Sequence, residues 1–147
     1  MGFYSSVEIS ASGLSAERLA MDVIANNIAN ANTTHTPGGG AFKRQLVVFG
    51  QKPGGSEETA DAGGDGANGG QGGVEVLGIV PDQTPDRLVF DPSNPDADAR
   101  GYVHYPNISV VKEMVDMMAA SRAYEANVSA MQEARNMTNA ALNILRS

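Results

Sequence analysis

The 147-residue chain predicts a mainly α fold: long N- and C-terminal helices forming a coiled coil, with an inserted small β region and a disordered Gly-rich loop. Three observations carry this expectation. A seven-residue repeat of large side chains runs through the C-terminal part. A second, less regular heptad pattern occupies the N-terminus. Between them lie short β-branched and aromatic runs, and ten of the 17 glycines fall between Gly50 and Gly73. The expected division is an N-terminal helix at 1–35, an inserted small β domain at 36–108 with a flexible Gly-rich loop at 51–73, and a C-terminal heptad helix at 109–147.

In the N-terminal stretch Val7, Leu14, Met21 and Ile28 recur every seven residues, with Ile24 and Ala31 on the same side. Gly13 weakens the middle of such a helix by about 1 kcal/mol relative to Ala. The helix should fade near Asn32, Thr33 and Thr34, before Pro37 and the Gly38-Gly39-Gly40 run. Asn26, Asn27, Asn30 and Asn32 are unusual there, because Asn side chains compete with the helical backbone for hydrogen bonds. Buried Asn amides cross-link neighbouring helices and fix register. A fraying helix end explains the same composition, and both readings stay open.

The middle reads as short strands. Phe42 to Phe49 contains Leu46, Val47 and Val48. Val74 to Val80 alternates, Arg87 to Phe90 is a third candidate and Tyr102 to Tyr105 a fourth. Pro81-Asp82-Gln83-Thr84-Pro85 and Asp91-Pro92-Ser93-Asn94-Pro95-Asp96 are turn sequences. The segment from about Gln51 to Gly73 is Gly-rich and acidic, with too little apolar surface to order itself.

The C-terminal signal is the strongest. Met114, Met117, Ser121, Tyr124, Val128, Met131, Arg135, Thr138, Leu142 and Leu145 alternate at spacings of three and four, and seven of those ten are Met, Tyr, Val or Leu. No Pro or Gly follows Pro106, and Ala at many other positions favours helix. Ser109 suits an N-cap, with Lys112 where a capping box would place Glu. One helix from about Ser109 to Arg146 would be ~55 Å long. That length exceeds what a small domain uses internally, so it implies a coiled-coil partner.

Composition removes several classes of function. The net charge of −7 argues against nucleic acid as a partner. The charge is −2 over residues 1–35, −5 over 36–111 and zero over 112–147, so the solvated part is the middle. With no Cys there is no disulfide framework, zinc–thiolate site or cysteine nucleophile. Two imidazoles, His35 and His104, are too few for a multi-histidine site. No apolar run approaches the roughly 20 residues that span a bilayer. Met1 to Ser12 lacks a basic region followed by an apolar one, which predicts cytoplasmic residence or export without a Sec-type signal peptide.

Individual motifs carry little chemistry. Gly64, Gly66 and Gly69 match a dinucleotide fingerprint, but no strand precedes it, no helix follows it, and the segment is glycine-rich throughout. Asp96-Ala97-Asp98-Ala99-Arg100-Gly101 resembles the opening of a calcium loop; Arg100 takes an acidic position, Asn107 stands where the closing Glu belongs, and a surface turn is the better reading. The glycosylation-type triplets at Asn32, Asn107, Asn127 and Asn136 are attributed to chance. Glu17 and Arg135 interrupt their seams and either pair across an antiparallel contact or extend to solvent, the latter being preferred. The methionine stripe of Met114, Met117, Met118, Met131 and Met137 reads as packing surface suited to non-identical partners. No catalytic, cofactor-binding or metal-ligating residue is assigned, and no cofactor is expected.

Ala25-Asn26-Asn27-Ile28-Ala29-Asn30-Ala31-Asn32-Thr33-Thr34 resembles the N-terminal signature of the bacterial flagellar axial rod and hook proteins, and Ile9-Ser10-Ala11-Ser12-Gly13-Leu14 and Met21-Asp22-Val23-Ile24 fit it. Within that family the chain is similar to a rod subunit. The similarity rests on Asn94-Pro95-Asp96-Ala97-Asp98, Gly101-Tyr102-Val103, Tyr105-Pro106-Asn107, Glu113-Met114-Val115-Asp116-Met117 and Ser121-Arg122-Ala123-Tyr124-Glu125-Ala126-Asn127-Val128. It covers about residues 5–50 and 74–147. The Gln51–Gly73 loop looks like an expansion, and Asn94 replaces a frequent His.

The resemblance implies a structural subunit of the proximal rod of the flagellar basal body, in the periplasmic space. It implies export by the flagellar type III system without a cleaved signal peptide. Expected partners are other flagellar rod proteins, the export apparatus or MS-ring adaptor, and further copies within the rod. It also implies terminal helices that are poorly ordered alone and form a coiled-coil inner layer on assembly. The expected assembly face comprises Leu14, Met21, Ile24, Asn26, Asn27, Ile28 and Asn30 with Met114, Met117, Tyr124, Val128, Met131, Leu142 and Leu145. The rival readings are a soluble helical adaptor or export chaperone of the same system, and a small enzyme, for which no nucleophile–base pair is visible.

Overall fold

Asn side chains end the first helix and a serine starts the last. The computed structural model describes residues 3–53 and 71–146. Its elements are α1 (Phe3–Ala29), β1 (Gln45–Pro53), β2 (Gln71–Pro81), β3 (Arg87–Phe90), β4 (Tyr102–Tyr105) and α2 (Val110–Arg146). At the end of α1 the Asn30 amide donates to the Asn26 carbonyl and to its Oδ1, both at 2.9 Å. Ala31 and Thr33 N–H then turn to carbonyls three residues back, which unwinds the helix. Before α2, Ser109 Oγ accepts from Lys112 N at 3.5 Å and the Ser109 carbonyl accepts from Glu113 N at 3.0 Å, as an N-cap does.

The helices pack antiparallel. Asn27 meets Glu113 at one end, and a Cβ built on Gly13 would lie 2.9 Å from Asn127 Nδ2. Both pairs are fourteen residues apart on each helix, so the register is constant between them. Small side chains line the contact. Ala16, Ala20 and Val23 of α1 and Ala120 of α2 are buried, and the register sets Ala20 against Ala120. Gly13 therefore lowers helix propensity but lets the two backbones approach. With 27 residues in α1 and 37 in α2, Phe3 lies level with Met137. Residues 138–146 run on for about 13 Å past the start of α1.

This register corrects the heptad reading in detail. The face of α2 toward α1 runs through Glu113, Met117, Ala120, Tyr124, Asn127 and Met131, all buried or half-buried. Met117, Tyr124 and Met131 match the expectation. At the alternate positions the seam is turned by one residue, about 100° of helix. Ser121 and Val128 are half-buried, Met114 and Arg135 face solvent, and Leu142 lies beyond α1. The apolar count missed this because the close contact selects Ala and Asn, which such a count ignores. Glu17 and Arg135 are offset by twelve residues in this register, about 18 Å along the axis.

β1 and β2 form an antiparallel hairpin from Gln45↔Pro81 to Pro53↔Gln71, with irregularities between Val48 and Phe49 and between Gln51 and Pro53. Both strands extend into the segment expected to be a loop at 51–73. Ladder hydrogen bonds need backbone, not bulky side chains, so Gly72 and Gly73 are carried along. Residues 54–70, including Gly64, Gly66 and Gly69, lie outside the described residues. An isolated two-stranded ribbon is marginal in water, and this one rides on α1. Val74 N–H donates to Ser12 Oγ at 3.0 Å, and Lys52 pairs with Glu8 at 3.7 Å. β3 and β4 have the expected bounds and form a separate ribbon, Arg87↔Tyr105 through Phe90↔Tyr102. The rings of Phe90 and Tyr102 meet edge-to-face at 5.3 Å, and Val103, paired with Val89, is fully buried.

Among the described residues the buried apolar core is Ala16, Ala20, Val23, Ala31, Ala41, Val103 and Ala120. Five of the seven are alanines, each worth about 0.8 kcal/mol on burial, against ~1.5–3 for a larger side chain. No described helix is long and apolar enough to cross a membrane.

Gly73 has φ +82°, and a Cβ built on it would overlap Ser12 Oγ. Gly73→Ala should cost about 1–3 kcal/mol and release the β1–β2 ribbon from α1. Urea unfolding followed by circular dichroism measures the loss, and an unchanged midpoint would show that the ribbon does not depend on this contact.

Candidate assembly interface and the clamp that orients it

A buried polar cluster joins four segments at the end of the helix pair. Asn27 is 1% exposed and Glu113 0%. The Asn27 amide pairs with the Gln45 backbone as a neighbouring strand would: Nδ2 donates to the Gln45 carbonyl and Oδ1 accepts from Gln45 N, both at 2.9 Å. Its second N–H donates to Glu113 Oε2 at 3.1 Å. Arg44 Nε donates to Glu113 Oε1 at 2.6 Å, and its Nη2 reaches Asp116 Oδ2 at 3.4 Å. Arg44 Nη1 lies 3.8 Å from Asp82 Oδ2, while Asp82 N–H donates to the Arg44 carbonyl at 2.7 Å. One carboxylate thus ties the last turn of α1, the entry to β1, the exit of β2 and the first turn of α2. No buried side-chain nitrogen or oxygen among the described residues lacks a hydrogen bond.

The cluster answers the question left open by the asparagines. Asn27 is a buried cross-link. Asn26 is exposed and reaches Gln45 Oε1 at 3.4 Å, and Asn30 caps the helix end. Arg44 and Glu113 were missed as site residues. Glu113 stands on the inner face of α2 three residues before Asp116, but a charge near a helix start reads as a solvated favourable end.

The other candidate motifs resolve into local turns. Asp98 Oδ1 accepts from Tyr102 N and Arg100 N, and the first of these holds its carboxyl below the usual carboxylate range. Asp91 Oδ1 accepts from Ser93 N and Oγ, and Asp96 Oδ2 from Thr34 Oγ1 at 2.7 Å. Asp82 is likewise held low, chiefly by the Thr84 hydroxyl. Among the described residues no group of three His, Asp or Glu has the arrangement of a metal site.

The remaining expected interface residues divide by exposure. Leu14, Met21, Ile24 and Ile28 of α1 and Met117, Tyr124, Val128 and Met131 of α2 are half-buried. Met114 and Leu142 are exposed, and the Leu145 side chain lies outside the described residues. Two apolar surfaces on α2 are exposed among the described residues. Val111, Met114, Val115 and Met118, all more than half exposed, form a stripe on the side away from α1. Met137, Leu142 and Ile144 occupy the end of α2 that lies level with or beyond the start of α1.

A clamped antiparallel helix pair with two inserted ribbons and uncovered apolar helix surface is the design of a subunit, not of a self-contained globule. Comparison with known proteins gives its class. The family described as "Flagella basal body rod protein" matches residues 8–34, and "Flagellar basal body rod FlgEFG protein C-terminal" matches residues 99–144. A flagellar basal-body rod protein FlgC of Borreliella burgdorferi is 42% identical across 99% of both chains. Those of Bacillus subtilis and Aquifex aeolicus are 37% identical, over 98% of this chain and 99% of the relative, and 40% identical, over 88% and 87%. The chain belongs to the FlgC family of flagellar basal-body rod proteins.

Arg44→Met leaves a buried carboxylate without its cation and should destabilise the chain by about 3 kcal/mol, the lower end of the range for broken buried pairs because Arg44 keeps some solvent contact. Replacing Glu113 by Met as well should recover part of that loss. Chemical denaturation of the two single variants and the double variant reads the coupling; strict additivity would show that the pair is not a unit.

Proposed function

We propose that this chain is a structural subunit of the proximal rod, and that its role is mechanical, not catalytic. Its terminal helices pack with those of neighbouring rod subunits into a coiled-coil tube that transmits torque and leaves a channel for export. The observation that carries this reading is the mismatch on α2. Its contact with α1 closes on small side chains at Ala120 and Gly13, with Met117, Tyr124 and Met131 half-buried beside them, while Val111, Met114, Val115, Met118 and Leu142 stay more than half exposed. Burying them requires other chains. An open, non-closing contact between unlike faces is the geometry that builds a tubular filament.

The same imbalance supports the view that the helices are marginal in the free subunit. A core of small side chains adds little burial energy, and ordering the chain costs ~1–2 kcal/mol per residue in backbone entropy. We infer that assembly completes the fold. A weakly held subunit also suits passage through a narrow export channel, consistent with delivery by the flagellar type III apparatus to the periplasmic space. The expected residues Leu14, Met21, Ile24, Ile28, Met117, Tyr124, Val128 and Met131 would then serve the intramolecular contact and its continuation into neighbours. Met114, Leu142 and Leu145 would serve neighbours alone.

Removing residues 131–147 should abolish incorporation and swimming while leaving the β3–β4 ribbon intact. Motility on soft agar and basal-body counts read the first effect, and NMR shifts of residues 87–105 the second. Full-length chain should gain helical signal on mixing with purified rod-family neighbours. A truncated chain that restores swimming would contradict the reading, as would full helicity alone with no binding to neighbours.

A further inference from the structure

The chain has seven Met and no Cys, so thioether sulfur is its only sulfur. The six described methionines fall into two sets. Met114, Met118 and Met137 are 55%, 53% and 69% exposed, whereas Met21, Met117 and Met131 are half-buried. Met114 and Met118 lie one helical turn apart in the stripe with Val111 and Val115. Met117 sits between them in sequence but faces α1, about 100° round the helix from Met118. Solvent oxidants therefore reach Met114, Met118 and Met137 before Met117, which is an internal control within the stripe's own turn of helix.

We propose that Met114 and Met118 form a redox-modification site through which hydroperoxides block the subunit before it is built in. The thioether sulfur attacks one peroxide oxygen, an S–O bond forms and the O–O bond breaks. Sulfur is oxidised to the sulfoxide and the peroxide is reduced, leaving as water, or as an alcohol from an alkyl hydroperoxide, with its own proton. Methionine sulfoxide reductases that draw on a dithiol reverse the step, returning the thioether with water and a disulfide. The sulfoxide is polar and strongly hydrated, so an apolar stripe that carries two of them no longer seats in a dry contact. The consequence for incorporation rests on the assembly role proposed above; the selectivity of oxidation does not.

Brief treatment of the full-length chain with hydrogen peroxide, followed by peptide mass spectrometry, should show Met114 and Met118 gaining one oxygen several-fold faster than Met117. In cells lacking the natural gene, Met114→Gln/Met118→Gln should lose basal bodies. Peroxide given before mixing with purified rod-family neighbours should lower the incorporation of the unmodified chain several-fold and leave that of Met114→Leu/Met118→Leu at the variant's own untreated level. Circular dichroism of both purified variants should match the unmodified chain, since both pairs are exposed helix positions that favour helix. Equal oxidation of Met117, or normal basal bodies with the Gln pair, would overturn the inference. Normal basal bodies in cells without the gene would overturn the rod reading itself.

Discussion

Burying the Glu113 carboxylate is the constraint on which the rest of this fold depends. Removing such a group from water carries an effective penalty of order several kcal/mol, offset only while a cation and hydrogen-bond donors stay in place. Arg44 and Asn27 supply them. Because these residues come from three parts of the chain, satisfying one carboxylate fixes where α1 ends, where β1 begins and where α2 starts. The amide of Asn27 does two further jobs: it pairs with the backbone of Gln45 and starts the strand. Replacing the set with apolar residues would keep the burial but lose the directional bonds that set the register.

Away from that end the interactions weaken. The closest part of the helix contact rests on Gly13 and alanines, both ribbons are two-stranded, and β1–β2 leans on α1 through Ser12, Glu8 and Asn27. Stability should decline from the clamp toward the far end of α2. This gradient follows from side-chain size: small residues allow close backbone approach but bury little area. Many of the large apolar residues are only half-buried, and Val111, Met114, Val115 and Met118 are outside. A rigid, well-bonded end and an incomplete end in one helix pair fit a part that is oriented by its neighbours.

Much of the architecture was legible in the residues. The 3–4 spacing and the absence of Pro and Gly after Pro106 located α2 to within a residue, and β-branched runs located β3 and β4 without error. Three features were less visible, each for a physical reason. The inner seam of α2 is one residue out of phase with the apolar repeat because Ala120 and Asn127 hold positions that a count of large side chains passes over. The β1–β2 ladder runs into glycines because backbone pairing does not require side chains. The clamp was half visible: four clustered asparagines flagged Asn27, but Arg44 and Glu113 resemble ordinary surface charges until the fold brings together residues 69 apart.

Hydrogen exchange of the free chain and of assembled rods, resolved by peptide, tests the central claim most directly. In the free chain the slowest amides should be those around Asn27, Gln45 and Glu113, with exchange rising along α2 until residues 137–146 are unprotected. In rods, those last residues should become protected while the clamp changes little. Uniform protection along α2 in the free chain, unchanged on assembly, would contradict a helix pair anchored at one end and completed by its neighbours.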